Sequence, residues 1–143
     1  MPPSETAVLS DRVRAFLAEP HFASLATVGA HGGLSQAVIW YRLEPDGRVL
    51  INSRDGRAWP ANLRRDPRAH LAVFWKEDPN RWVGLAGRID EVVDDVVRAR
   101  EDIVALADRY GEASPATIAR FRSEPRVSFL LRIERVHDHL EDD

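Results

Sequence analysis

Apolar residues recur along this chain at two different periods. Between Ser10 and Pro20 they stand at Val13, Phe16 and Leu17, the spacing of one helical face, with Ser10 placed to cap the first turn and Glu19-Pro20 to end it. From Phe22 the period becomes that of extended chain. Phe22 to Val28 is short and apolar and runs into the turn Gly29-Ala30-His31-Gly32-Gly33. Leu34 to Leu43 is rich in Val, Ile, Trp and Tyr, Pro45-Asp46-Gly47 is a turn, and Arg48 to Ser53 is a third strand. Three strands joined by tight turns predict an antiparallel meander.

The next segment, Asp55 to Arg68, reads as a turn followed by a short helix. Pro60 suits its first position, and Asp66-Pro67 stops it, because a residue before proline is pushed out of the α region. Ala69 to Lys76 is a fourth strand. The loop Glu77-Asp78-Pro79-Asn80 leads to a fifth, Arg81 to Val93, on which Val83, Leu85 and Ile89 face one way and Trp82, Arg88 and Asp90 the other. Its small residues Gly84, Ala86 and Gly87 suit a barrel bend or a close approach of another group. Asp94 or Asp95 caps a helix with Val96, Val97, Ile103, Val104, Ala107 and Tyr110 at core spacing, ending at Gly111. Ser114-Pro115 opens a short helix through Arg122, and Arg126 to His139 alternates as a last strand. Six strands and a few helices predict an α+β, barrel-like fold, since closing a small antiparallel sheet removes its edges. Residues 1–143 read as one domain, with 1–8 and 140–143 as loose tails.

Composition narrows the function classes. The hydrophobic fraction of 44% supports an ordinary core, and no apolar run approaches the roughly 20 residues of a membrane span. The first residues lack the basic and apolar regions of a secretory signal, and there is no Cys for disulfide or thiolate chemistry, so a cytoplasmic location is expected. A net charge of -3 argues against general nucleic-acid binding. Against that background, Arg54 to Arg68 holds five Arg and two Asp, a local charge of +3. Free N–H groups at the start of the helix, its dipole and Arg57 together suit a phosphate, although an Arg-rich helix of one or two turns is usually just a solvated face.

Four segments carry a family resemblance: Phe22 to Val28, Ser35 to Tyr41, Asn62-Leu63-Arg64-Arg65-Asp66-Pro67-Arg68-Ala69, and Trp82 to Ile89. On these residues, from about Ser10 to about Asp138, the chain resembles the split-barrel superfamily typified by pyridoxamine 5'-phosphate oxidase. It is most similar to the actinobacterial branch that binds deazaflavin in place of FMN. The resemblance implies a six-stranded antiparallel split β-barrel and a homodimer with a cofactor groove at its interface. It implies that Val38, Ile39 and Trp40 line the flavin-like ring and that Asn52 and Ser53 contact the ribityl chain or phosphate. Arg57 would bind the phosphate, Asn62 and Arg64 would hold the loop or reach the cofactor tail, and Trp82 would approach the ring from the partner subunit. One departure stands out: where relatives carry a Lys two residues after the Arg, this chain has Trp59, followed by Pro60. Either Arg54 or Arg64 replaces that charge, or Trp59 stacks on the ring or ribityl face, or cofactor binding is weak or lost.

The remaining candidates are plainer. Trp40, Trp59, Trp75 and Trp82 serve either as core and interface residues or as a stacking wall, for which Trp59 and Trp82 are best placed. His137 and His139 share a strand face, yet no third metal ligand is placed by sequence. No nucleophile elbow, P-loop or dinucleotide fingerprint is present, so any chemistry belongs to a cofactor. The implied activity is hydride transfer from a reduced deazaflavin of the coenzyme F-420 type to a conjugated small-molecule substrate. An FMN-dependent reductase or oxidase and a non-catalytic flavin or tetrapyrrole binder remain as alternatives.

Overall fold

Ser10 caps the first helix, its hydroxyl accepting from the Val13 amide at 3.2 Å, and Val13, Phe16 and Leu17 turn inward along α1 (Asp11–Leu17). In the computed structural model, which describes residues 6–140, the chain continues as β1 (Phe22–Val28), β2 (Leu34–Ile39), β3 (Arg42–Leu43) and β4 (Val49–Arg54). Then follow α2 (Ala58–Arg65), β5 (Arg68–Trp75), β6 (Asp78–Val93), α3 (Val96–Arg109), α4 (Pro115–Ser123) and β7 (Arg126–His139). The strands form one antiparallel sheet in the order β2-β1-β5-β6-β7-β4-β3.

The two edge strands of that sheet, β2 and β3, are consecutive in the chain and separated only by Trp40 and Tyr41. Three Cα–Cα steps of about 3.8 Å join them, so the edges lie within about 11 Å of each other. The sheet therefore curls into a barrel whose seam is Trp40-Tyr41. This corrects two expectations: Leu34 to Leu43 is two strands, not one, and the barrel has seven strands among the described residues instead of six. The cause is α3. Tyr41 donates its backbone N–H to the Tyr110 hydroxyl at 3.2 Å, and its carbonyl accepts from Arg109 Nε at 3.1 Å. A residue whose donor and acceptor are both held by side chains takes no part in a sheet ladder.

Inside the barrel, Leu25, Leu71, Val73, Val83, Leu85, Phe129 and Leu131 form the core, joined by Leu17 of α1 and by Trp59 and Leu63 of α2. Each such side chain contributes about 1.5–3 kcal/mol by burial. β4 is buried on both faces because α3 covers its outside: Val49 and Ile51 enter the barrel core, while Asn52 reaches the Ala99 carbonyl of α3. Ile103, Leu106, Ala107 and Phe121 make a second, smaller core between α3 and α4. Gly87 marks a bulge where β6 crosses β7, and a Cβ there would collide with the Arg132 carbonyl.

Three local expectations change. Pro60 is the third residue of α2, not the first, because the left-handed turn at Gly56 (φ +98°) lets the helix start at Ala58. Proline is tolerated there since first-turn N–H groups have no helical acceptor. Val96 and Val97 are exposed, as the buried stripe of α3 begins a turn later at Ala99. Of the expected tails, residues 1–5 and 141–143 lie outside the described residues; Ala7 bonds to the Ile133 carbonyl at 2.8 Å and Leu140 is buried in the core.

The seam region also holds a buried histidine. His21 stacks on Phe16 at 4.1 Å, and its Nε2 has no hydrogen-bond partner among the described residues. Burial holds its pKa below the ordinary value, opposed by Glu19 and reinforced by Arg109. An unfolded His takes up its proton near pH 6.5, before the folded one does, so this contribution to stability is complete above about pH 6.5 and is lost as pH falls toward the folded pKa. His70, also held low by burial, acts with the same sign. Thermal unfolding between pH 7.5 and 5.5 is therefore expected to show a falling Tm that His21→Phe flattens in part. An identical decline in the variant would show that His21 contributes nothing to it.

Candidate functional site

Where β2 leaves β1 for the seam, the chain opens a groove of about 200 Å³ lined by Ala37, Val38, Ile39, Trp40, Asn52, Ser53, Arg57, Trp59, Ile103 and Arg126. Each side follows from the fold. The alternation of β2 and the break at Tyr41 expose Val38 and turn Trp40 back onto α3, where it stacks on Tyr110 at 5.2 Å. The start of α2 brings Arg57 and Trp59, and the paired ends of β4 and β7 bring Asn52, Ser53 and Arg126.

Seven of the ten expected site residues thus meet in one place: Val38, Ile39, Trp40, Asn52, Ser53, Arg57 and Trp59. Arg57 is the N-cap of α2, offers no side-chain cap, and has neither an ion pair nor a hydrogen bond from its guanidinium among the described residues. Trp59 is 9% exposed and its indole leans on Phe129 at 5.8 Å, so most of the ring belongs to the core. Ser53 donates its hydroxyl to the Arg54 carbonyl at 3.1 Å. Asn52 is committed inward: Nδ2 donates to the Ala99 carbonyl and to Ser128 Oγ, both at 2.8 Å, and Oδ1 accepts from Arg126 Nη1 at 3.3 Å. Ser128 in turn donates to Asp102, whose pKa burial pushes up.

The other three stand apart from the groove. Asn62 is buried, donating to Thr27 Oγ1 at 3.0 Å and accepting from Arg65 at 2.8 Å, which ties α2 to β1. Arg64 is held by Asp94 at 2.6 Å and Asp55 at 3.2 Å. Trp82 lies on β6 against the rings of His137 and His139.

Ala37, Ile103 and Arg126 line the groove without having been singled out in the sequence. Arg126 carries a signal only once β4 and β7 are paired, for it then stands opposite Arg54. Burial and the neighbouring Arg57 and Arg54 charges lower its pKa while its pair with Glu124 raises it. Among the described residues no group of three or more His, Asp or Glu could hold a metal ion, and no helix is long and apolar enough to cross a membrane.

The arrangement combines a flat apolar strip with a cationic end, which suits a planar ring carrying a phosphate. The sequence profile of the pyridoxamine 5'-phosphate oxidase family matches residues 9–140. The chain is 31% identical over 134 residues to the F-420H(2)-dependent biliverdin reductase of Mycobacterium tuberculosis (strain CDC 1551 / Oshkosh), spanning 92% of this chain and 88% of that protein. Its fold superposes on an F-420 reductase with a TM-score of 0.76 at 20% identity, over 90% of this chain and 98% of the other. It also superposes on HutZ, the heme storage protein from Vibrio cholerae, with a TM-score of 0.68 at 16% identity, over 92% and 95%. At those identities the two solved structures speak to the split-barrel fold alone, and membership rests on the profile and the curated relative. The chain belongs to the pyridoxamine 5'-phosphate oxidase family, on the branch that contains the deazaflavin-dependent reductases.

Proposed function

We propose that this protein is a deazaflavin-dependent reductase of a conjugated small molecule. The observation that carries the reading is that the groove gathers Val38, Ile39, Trp40 and Arg57 at one opening in a chain 31% identical to an F-420H(2)-dependent reductase. The residues fit such a cofactor: an unpartnered guanidinium at a helix N-terminus suits its phosphate, and Val38, Ile39 and Ile103 suit an apolar ring face. When bound, a reduced deazaflavin supplies a hydride, and the acceptor gains that hydride together with a proton.

The chain's own contribution is position and electrostatics. Arg57 and the first N–H groups of α2 would hold the phosphate, β2 and Trp40 would line the ring, and Asn52 and Ser53 would border the ribityl chain. Asn52 acts through Arg126, because both of its N–H donors are engaged elsewhere and its Oδ1 accepts from Arg126. Leu34 and Val38 are 81% and 68% exposed along the groove's edge strand, and a second copy of the chain covering them would close the groove, with Trp82 approaching the ring from that copy.

The test follows reoxidation of reduced coenzyme F-420 by its absorbance, under anaerobic conditions, with biliverdin and a panel of enones and quinones as acceptors. Turnover with at least one acceptor is expected. FMN-dependent turnover instead would move the protein to the FMN reading, and saturable cofactor binding without any turnover would make it a carrier. Sedimentation equilibrium reads the dimer in the same preparation, and a monomer would remove the second copy from the account.

A further inference from the structure

The family's second phosphate cation is missing from α2, where Trp59 is buried against Phe129 and Pro60 follows it. The two obvious substitutes differ. Arg64 is locked between Asp94 and Asp55, away from the groove. Arg54 is half-exposed and pairs loosely with Glu124 at 3.4 Å. A third arginine does line the groove. Arg126 rises from the first position of β7, its side chain only 10% exposed.

Its guanidinium is held on several sides. Nη2 donates to Glu124 at 2.9 Å, Nη1 donates to Asn52 Oδ1 at 3.3 Å, and the plane lies 4.6 Å from the Phe121 ring centre. Nε, though buried, has no hydrogen-bond partner among the described residues. A buried donor without an acceptor is costly, and in native proteins it points to a missing partner. The charges agree. Arg54, Arg57 and Arg126 cluster near one carboxylate, Glu124, which the first and last of them share, so the cluster keeps an excess of positive charge. Arg126 and Arg57 both line the groove, and an anion there would neutralise that excess.

We propose that Arg126 is the second phosphate-binding cation of this chain, supplied from β7 in place of the lysine that Trp59 displaces from α2. The inference rests on the reductase reading for the identity of the ligand, but the anion site itself does not. Asn52, fixed by Ala99 and Ser128, is the positioning residue for the guanidinium, and Glu124 is the internal competitor for it.

The experiment uses the full chain, R126Q and E124Q, with three probes: inorganic phosphate, coenzyme F-420, and the ribityl deazaflavin core that lacks the phosphate. Phosphate is expected to raise the Tm of the parent chain and to leave that of R126Q unchanged. R126Q is expected to bind coenzyme F-420 roughly ten- to a hundredfold more weakly, the worth of one charge-assisted hydrogen bond, and to bind the core as the parent does. E124Q, which frees the guanidinium, is expected to tighten coenzyme F-420 several-fold and keeps the test open if R126Q does not fold. Equal coenzyme affinity and phosphate response in the parent and R126Q would overturn the role of Arg126 and leave the reductase reading standing. A phosphate response lost in R126Q, with no coenzyme binding by the parent, would overturn the reductase reading and leave the anion site. No response to either probe would overturn both, and no tightening in E124Q would count against Arg126.

Discussion

Arg57→Glu is expected to abolish saturable binding of a phosphate-bearing cofactor while leaving the fold intact. Arg57 is exposed, makes no side-chain cap to α2 and pairs with no acid among the described residues, so the fold does not depend on its charge. The new carboxylate would stand at a helix N-terminus, where a negative charge is favourable by about 0.3–1 kcal/mol. Stability is therefore expected to hold or rise slightly. Binding responds in the opposite direction. The variant loses a charge-assisted hydrogen bond, about 1.5–3 kcal/mol, and adds repulsion at the phosphate, which together exceed a hundredfold in affinity. Tm and cofactor titration on one preparation separate the two effects. An unchanged Tm with unchanged affinity would remove the α2 N-terminus from the site.

The largest stability effect is expected at Arg109, which does not line the groove. Its guanidinium donates to four carbonyls: Tyr41 at 3.1 Å, Ala18 at 2.9 Å, Leu17 at 3.2 Å and Glu19 at 2.8 Å. It also lies 5.3 Å and 5.7 Å from the ring centres of Tyr41 and Tyr110. Three of those carbonyls end α1, where no helical N–H donors remain to meet them, and the fourth is the seam of the barrel. Arg109 thus fastens α1 to the point where the two sheet edges meet. Tyr41 Oη, at 3.0 Å from the Leu17 carbonyl and 2.8 Å from that of Glu19, holds part of the joint on its own. Arg109→Ala is expected to cost about 3–4 kcal/mol, since hydrogen bonds to a charged group are strong and several are lost together. For a chain of this size that is a fall of about 10 °C in Tm. Arg109→Lys restores only part, because an ammonium lacks the planar fork. A fall of no more than about 2 °C in Arg109→Ala would show that the seam is held by packing alone.

The boundaries that were legible in the sequence are those set by local chemistry. β1 and β7 begin and end where apolar alternation meets turn residues, and Ser10 and Ser114 cap the helices that they precede. The seam was not legible. Trp40 and Tyr41 are good strand formers, and the break there is imposed by Tyr110, a partner 69 residues away. Charge read along the chain misled in a similar way. Three of the five Arg counted over Arg54 to Arg68 are engaged within the fold, as Arg64 goes to Asp94 and Asp55, Arg68 to Asp66 and Arg65 to Asn62. The cationic end of the groove instead joins Arg57, from that window, to Arg126 at the start of β7, which no linear window places beside it.

The measurement that tests the central claim most directly is titration of the purified protein with coenzyme F-420 and, separately, with FMN, followed by tryptophan fluorescence. Trp40 and Trp59 both line the groove, so a planar ligand bound there is expected to quench them. The account expects saturable quenching by coenzyme F-420 at micromolar concentration, weaker or absent with FMN, and lost in Arg57→Glu. No saturation with coenzyme F-420 up to high micromolar concentration would contradict the account, and the groove would then belong to another ligand.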